Sequence, residues 1–173
     1  NPTWECLRVA GATAQSKGVQ SVLALGGGTA IDLGKLTAAA LQLGGVDELW
    51  TATADGSELA VLRSGIRLMA IPTTAGTSAD VSQFAIISDP SRRFKFSIIS
   101  KAVVPDVSLI DPEVTETMDA YLTACTGVDA MVHAIEAYVS TGSGPLTDTN
   151  ALEAIRLINR HLEPLVLNTA NVH

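Results

Sequence analysis

Three consecutive glycines, Gly26-Gly27-Gly28, sit between a short apolar run and a longer amphipathic one, and this junction limits what the chain can fold into. Before them, Ser21-Val22-Leu23-Ala24-Leu25 is apolar without alternation, as expected of a strand buried in a parallel sheet. After them, Thr29 to Leu43 reads as a helix, with Ile31, Leu33, Leu36 and Leu41 at roughly helical spacing and Gly44-Gly45 as its stop. A second buried strand, Leu68-Met69-Ala70-Ile71, ends at Pro72. Strand, glycine turn, helix and strand in this order make a βαβ unit, so the sequence predicts an α/β fold with a parallel sheet.

The glycines allow a tight turn and a close approach of backbone to ligand. The helix start that follows offers free N–H groups and the positive end of the helix dipole, a combination suited to pyrophosphate. Thr29 is expected to cap that helix, with Asp32 three residues on as in a capping box. From spacing alone, a phosphate cradle and a well-capped turn both remain open. Two standard motifs fail. The dinucleotide fingerprint needs a glycine where Ile31 stands, and a P-loop ending at Gly34-Lys35 would need a hydroxyl where Leu36 stands.

Other elements follow from similar signals. Trp4 to Lys17 reads as a helix stopped by Gly18, and the acidic stretch Val46 to Gly65 as an irregular surface excursion. Pro72-Thr73-Thr74-Ala75-Gly76-Thr77 is a second small, polar loop after a strand. In an open parallel sheet, ligands sit beyond the carboxyl ends of the strands, so the two loops would face one crevice. A solvated, threonine-rich loop is the alternative. Phe84 to Ile87 and Phe94 to Ile99 form a candidate hairpin around Asp89-Pro90-Ser91, and Val107 to Ile110 is the last strand candidate. Beyond Asp111-Pro112 only helical periodicity remains: one helix over Ala120 to Val139, another from Pro145 toward Leu162. A domain boundary is expected near Asp111–Thr115, between an α/β part and an all-helical part.

Asp129 and His133 lie four residues apart on the Ala120 to Val139 helix, hence on one face. A carboxylate and an imidazole so placed can share a divalent cation, or simply pair with each other. Glu136 is near that face, His161 reads as surface helix, and His173 is terminal.

Composition narrows the function classes. A net charge of −7 argues against broad contact with nucleic-acid phosphates or anionic membrane, and no apolar run is long enough to span a bilayer. Hydrophobic residues at 47% and charged residues at 17% indicate a globular chain. The two distant cysteines, Cys6 and Cys125, fit a reducing cytoplasm, and no signal peptide is visible. The start at Asn1 and the end in a polar stretch both read as cut.

Three segments carry a family resemblance. Gly26-Gly27-Gly28-Thr29-Ala30-Ile31-Asp32 resembles the GGGSxxD element of the iron-containing (group III) alcohol dehydrogenases, within the dehydroquinate-synthase-like superfamily. Ile71-Pro72-Thr73-Thr74-Ala75-Gly76-Thr77 resembles their IPTTAGTGSE loop, although Ser78-Ala79-Asp80 follows where the common form has Gly-Ser-Glu. Thr126-Gly127-Val128-Asp129-Ala130-Met131-Val132-His133-Ala134-Ile135-Glu136-Ala137-Tyr138 resembles the TGxDAxxHAIEAY helix, which carries two of the family's four metal ligands.

The resemblance implies a central portion of a family member, with 1–112 part of a Rossmann-like α/β dinucleotide-binding domain and 113–173 the start of an all-α metal-binding domain. Gly27, Gly28, Thr29 and Asp32 would line the pyrophosphate and ribose of NAD or NADP. Thr73, Thr74, Thr77 and Ser82 would continue that cleft, and Lys95 would reach the cofactor from the following strand. Asp129 and His133 would bind the metal, usually Fe²⁺ and sometimes Zn²⁺, with the other two histidine ligands beyond this chain. The implied activity interconverts a small primary alcohol or diol and its aldehyde, in a homo-oligomer. The metal would act as a Lewis acid and the nicotinamide would carry the hydride. Rival readings are a glycerol dehydrogenase, a maleylacetate reductase, a dehydroquinate synthase, or a nucleotide-binding fragment without catalysis. No catalytic side chain is assigned.

Overall fold

The computed structural model describes residues 1–54, 65–90 and 93–170. Its helices are α1 (Trp4–Ser16), α2 (Gly28–Leu43), α3 (Val46–Ala54), α4 (Ala120–Val139) and α5 (Pro145–Ala170). Its strands are β1 (Ser21–Gly26), β2 (Arg67–Pro72), β3 (Phe84–Asp89), β4 (Phe94–Ile99) and β5 (Val107–Ser108). Contacts divide the chain into two compact units: residues 1–73 with 79–111, and residues 74–78 with 112–173.

In the first unit, β1, β2 and β5 form a parallel sheet in the order β1-β2-β5, with Leu23 opposite Met69 and Gly26 opposite Pro72. The predicted parallel βαβ arrangement is therefore present. The hairpin is also present, as a separate antiparallel pair in which Ser88 faces Lys95. Helix α2 is nearly enclosed. Ile31 and Ala38 pack with Ala24, Leu68 and Ala70 of the sheet. Leu36, Ala39 and Ala40 pack with Leu7 of α1, Leu49 of α3, and Ala85, Ile87 and Ile98 of the hairpin. Gly34 permits the close approach to β1, because a Cβ there would lie 2.5 Å from that of Ala24.

The structure corrects several sequence expectations. The stretch from Val46 is not irregular: it begins as α3, with Asp47 and Glu48 in the first turn, where carboxylates favour a helix. Acidic residues at a helix start look like a solvated loop in sequence. Residues 55–64 of the same stretch, and Ser91 in the hairpin turn, lie outside the described residues. Leu49 of α3 is fully buried, so Leu49→Ala is expected to cost about 2–5 kcal/mol, read as a lower urea midpoint at unchanged m-value.

The strands expected to be buried on both faces are covered on one. Helix α2 packs on one side of the sheet, while Leu23 and Leu25 are 60% and 57% exposed on the other, beside exposed Met69 and Val107. Strand β5 stops at Ser108 rather than Ile110, and α5 runs past Leu162 to Ala170 with Pro164 inside it.

In the second unit, α4 spans the predicted range, and its first turn is capped by Asp119, whose carboxylate accepts from the Leu122 N–H at 2.7 Å. Helices α4 and α5 meet where Gly127 leaves room: a Cβ there would lie 2.3 Å from a methyl of Leu162. Among the described residues, no helix is long and apolar enough to cross a membrane.

Candidate functional site

The glycine turn and the start of the threonine loop stand side by side at the carboxyl ends of β1 and β2. Gly26 faces Pro72 in register, and the Thr73 N–H donates to the Gly26 carbonyl at 3.0 Å. Gly26 has φ +144°, and a Cβ there would lie 2.7 Å from that of Ala30, so the turn requires glycine. Helix α2 begins at once.

Its cap differs from the expectation. Gly27, not Thr29, is the N-cap, and no side chain caps the helix. Thr29 lies inside the first turn and is exposed. Gly27 carries no side-chain acceptor, so no side chain satisfies the first N–H groups of α2, and the Ala30 N–H turns back to the Gly27 carbonyl at 2.9 Å.

Asp32 does not close a capping box either. It is buried, and its Oδ2 accepts from the Ile86 N–H of β3 at 3.2 Å. A β-strand fifty-four residues away won this carboxylate over the local backbone. Burial raises the Asp32 pKa, opposed by the Ile86 hydrogen bond and the charge of Lys35.

Sequence reasoning missed Lys35, except as a failed P-loop residue. It is fully buried, and its Nζ donates to the Ser82 carbonyl at 2.8 Å, the Phe84 carbonyl at 2.8 Å and Ser82 Oγ at 3.2 Å. Burial draws its pKa down to about 8, against the favourable charges of Asp32 and Asp80. Asp80 is itself buried and accepts from the Ser108 hydroxyl of β5. A usable signal was present: two charges three residues apart, at positions 32 and 35, within the otherwise uncharged stretch 31–40 of α2.

Of the other expected cofactor residues, Ser82 is half-buried beneath the Lys35 ammonium, and Lys95 is exposed on β4. Thr74 and Thr77 belong to the second unit. There the loop 74–78 rests on α4 through Gly76, where a Cβ would lie 2.3 Å from the Thr126 carbonyl oxygen.

One turn further along α4, Asp129 and His133 share a face, with His133 Nε2 3.8 Å from Asp129 Oδ1 and both side chains about half-exposed. This donor set fits a divalent cation: an anionic oxygen and an imidazole nitrogen, close enough to converge and open on one side. It offers two candidate ligands, and among the described residues no group of three candidate ligands occurs. Glu136 and His161 are exposed, and His173 lies outside the described residues. Cys6 and Cys125 are free and exposed.

Residues 1–112 match the family model for iron-containing alcohol dehydrogenase, and residues 123–173 match the model for the C-terminal part of that family. The chain belongs to the iron-containing alcohol dehydrogenase family.

Over 141 residues it is 39% identical to an NADPH-dependent butanol dehydrogenase of Clostridium saccharobutylicum, a match covering 82% of this chain and 36% of that protein. Over 107 residues it is 41% identical to an NAD-dependent methanol dehydrogenase of Bacillus methanolicus, covering 62% of this chain and 28% of the relative. Its fold is similar to the crystal structure of a sulfoacetaldehyde reductase from Bifidobacterium kashiwanohense in complex with NAD⁺, with a TM-score of 0.88 at 28% identity, covering 99% of this chain and 44% of that one. The α/β unit followed by helices is therefore the family's fold. The chain spans about a third of the length of the relatives.

Proposed function

We propose that this chain supplies the dinucleotide-binding and part of the metal-binding machinery of an NAD(P)- and metal-dependent oxidoreductase. The reaction interconverts a small primary alcohol or diol and its aldehyde. The observation that carries this reading is the Asp129–His133 pair, open on one face of α4, in a chain that also holds an uncapped helix start behind a glycine turn. We take residues 1–112 as part of the dinucleotide-binding domain and 113–173 as the start of the helical metal-binding domain.

The chain's own residues have separable tasks. Gly27, Gly28 and Thr29 present the N–H groups of α2 to the pyrophosphate, where the helix dipole favours negative charge. Asp32 holds the first turn of α2 to β3 and shapes the ribose side of that site. Thr73, Thr74 and Thr77 offer hydroxyl and N–H groups to the rest of the nucleotide, with Ser82 and Lys95 contributing from the hairpin segment. Asp129 and His133 hold the metal, Fe²⁺ or Zn²⁺. When bound, the metal supplies Lewis acidity toward the alcohol oxygen, and the nicotinamide supplies the hydride acceptor. The relatives include an NADPH-dependent and an NAD-dependent enzyme, which supports a nicotinamide nucleotide without choosing between the two.

Removal of the metal tests the reading. Dialysis of the full-length protein that carries this segment against a strong chelator is expected to abolish NAD(P)-linked oxidation of short alcohols, and added Fe²⁺ or Zn²⁺ to restore it. Full turnover by the chelated protein, with metal absent by elemental analysis, would overturn the metal assignment.

A further inference from the structure

We infer that Lys35 is a positioning residue for the cofactor site: its buried ammonium holds the Ser82–Phe84 segment against α2 and leaves the Ser82 hydroxyl as a donor for a ligand oxygen. This inference rests on the reading of Ser82 as a cofactor contact.

A lysine with no exposed surface is rare unless its charge is matched. An ammonium has three donors and no acceptor. All three are committed here, to the Ser82 carbonyl, the Phe84 carbonyl and Ser82 Oγ, at 2.8, 2.8 and 3.2 Å. None is left for a phosphate. Lys35 therefore does not act as a P-loop lysine does, although it lies on the helix whose start faces the proposed phosphate.

Its effect on Ser82 follows from hydrogen-bond polarity. Ser82 Oγ accepts from Lys35, so its own hydrogen is free to point elsewhere. A hydroxyl so held presents a donor, which suits the oxygens of a phosphate, a ribose or a carboxamide.

The same turn of α2 grips β3 at a second place, because Asp32 accepts from the Ile86 N–H at 3.2 Å. Asp80 adds a second buried carboxylate whose charge favours the ammonium, and it is anchored by Ser108 of β5. The group thus ties α2, the segment before β3, and β5 into one charged cluster. Removing Lys35 would leave two carbonyls and two carboxylates without their shared cation.

The test is a double-mutant cycle in the full-length protein, with Lys35→Met, Ser82→Ala and the pair. NADH and NADPH affinities are read by fluorescence titration, and backbone exchange over residues 82–86 by mass spectrometry. Lys35→Met is expected to weaken nucleotide binding about tenfold and to speed exchange over 82–86. Ser82→Ala should weaken binding less. The double variant should bind about as well as Lys35→Met alone, because both changes remove the same contact.

Effects that multiply independently would mean that Lys35 acts only on stability and would overturn the inference, as would unchanged affinity and exchange in Lys35→Met. If the unmodified chain bound neither nucleotide, the proposed function and the role of Ser82 would both fall. Faster exchange in Lys35→Met would then establish the clamp alone. Should Lys35→Met not fold, Lys35→Gln, of similar length and uncharged, serves in the same cycle.

Discussion

Asp129→Ala is expected to remove most of the bound divalent metal and to lower alcohol oxidation by about a hundredfold or more, while the helical circular dichroism stays unchanged. A directly bound carboxylate supplies both charge and geometry, and even partners that only orient a ligand cost about 10–100-fold in metal affinity when removed. The fold should tolerate the change. Asp129 is about half-exposed, its contact with His133 is 3.8 Å long, and alanine is the best helix former. Elemental analysis of the purified full-length protein separates the two claims. Unchanged metal content in Asp129→Ala would reject Asp129 as a ligand, whatever happened to activity.

Gly76→Ala is expected to destabilise the second unit by about 3 kcal/mol, visible as a lower thermal midpoint and faster amide exchange over 74–78 and the middle of α4. Two independent costs coincide at this position. Gly76 has φ +136°, where a side chain is strained by roughly 1–3 kcal/mol. The added methyl would also meet the Thr126 carbonyl oxygen at 2.3 Å, and overpacking of that kind costs roughly 1–3 kcal/mol. The obstacle is backbone in the interior of α4, so it cannot rotate away as the tip of a side chain could. A thermal midpoint within about a degree of the unmodified protein would show that the loop can lift off at little cost.

Much of the architecture was legible because its signals are local. The Ala120–Val139 helix appears over the expected residues, since apolar positions at three- and four-residue steps report a helix directly. Strand β1, the glycine turn, α2 and β2 were readable for the same reason, and their order implied the parallel pairing of β1 with β2, while the register, Leu23 opposite Met69, came from the structure. Helix α3 was misread because Asp47 and Glu48 suit both a solvated loop and a helix start, and only the burial of Leu49 separates the two.

The candidate site divides in the same way. Its residue types and their places along the chain were available from the sequence: the glycine run, the threonine loop, and Asp129 four residues before His133. Their partners were not. Asp32 looked like half of a capping box, yet it bonds Ile86; Lys35 looked like a failed phosphate ligand, yet it bonds Ser82 and Phe84, 47 and 49 residues away. Gly76 stood in the sequence only as a member of the threonine loop, and its constraint comes from Thr126.

The sequence by itself determined the family, the βαβ order of β1, α2 and β2, and the glycine turn between β1 and α2, because periodicity and glycine placement act over a few residues. Only the tertiary structure decided the rest of that turn. It left α2 without a side-chain cap, and it buried Asp32 and Lys35 beneath it. A buried charge takes its partners from whatever the fold brings within hydrogen-bonding distance, and spacing along the chain carries no record of that.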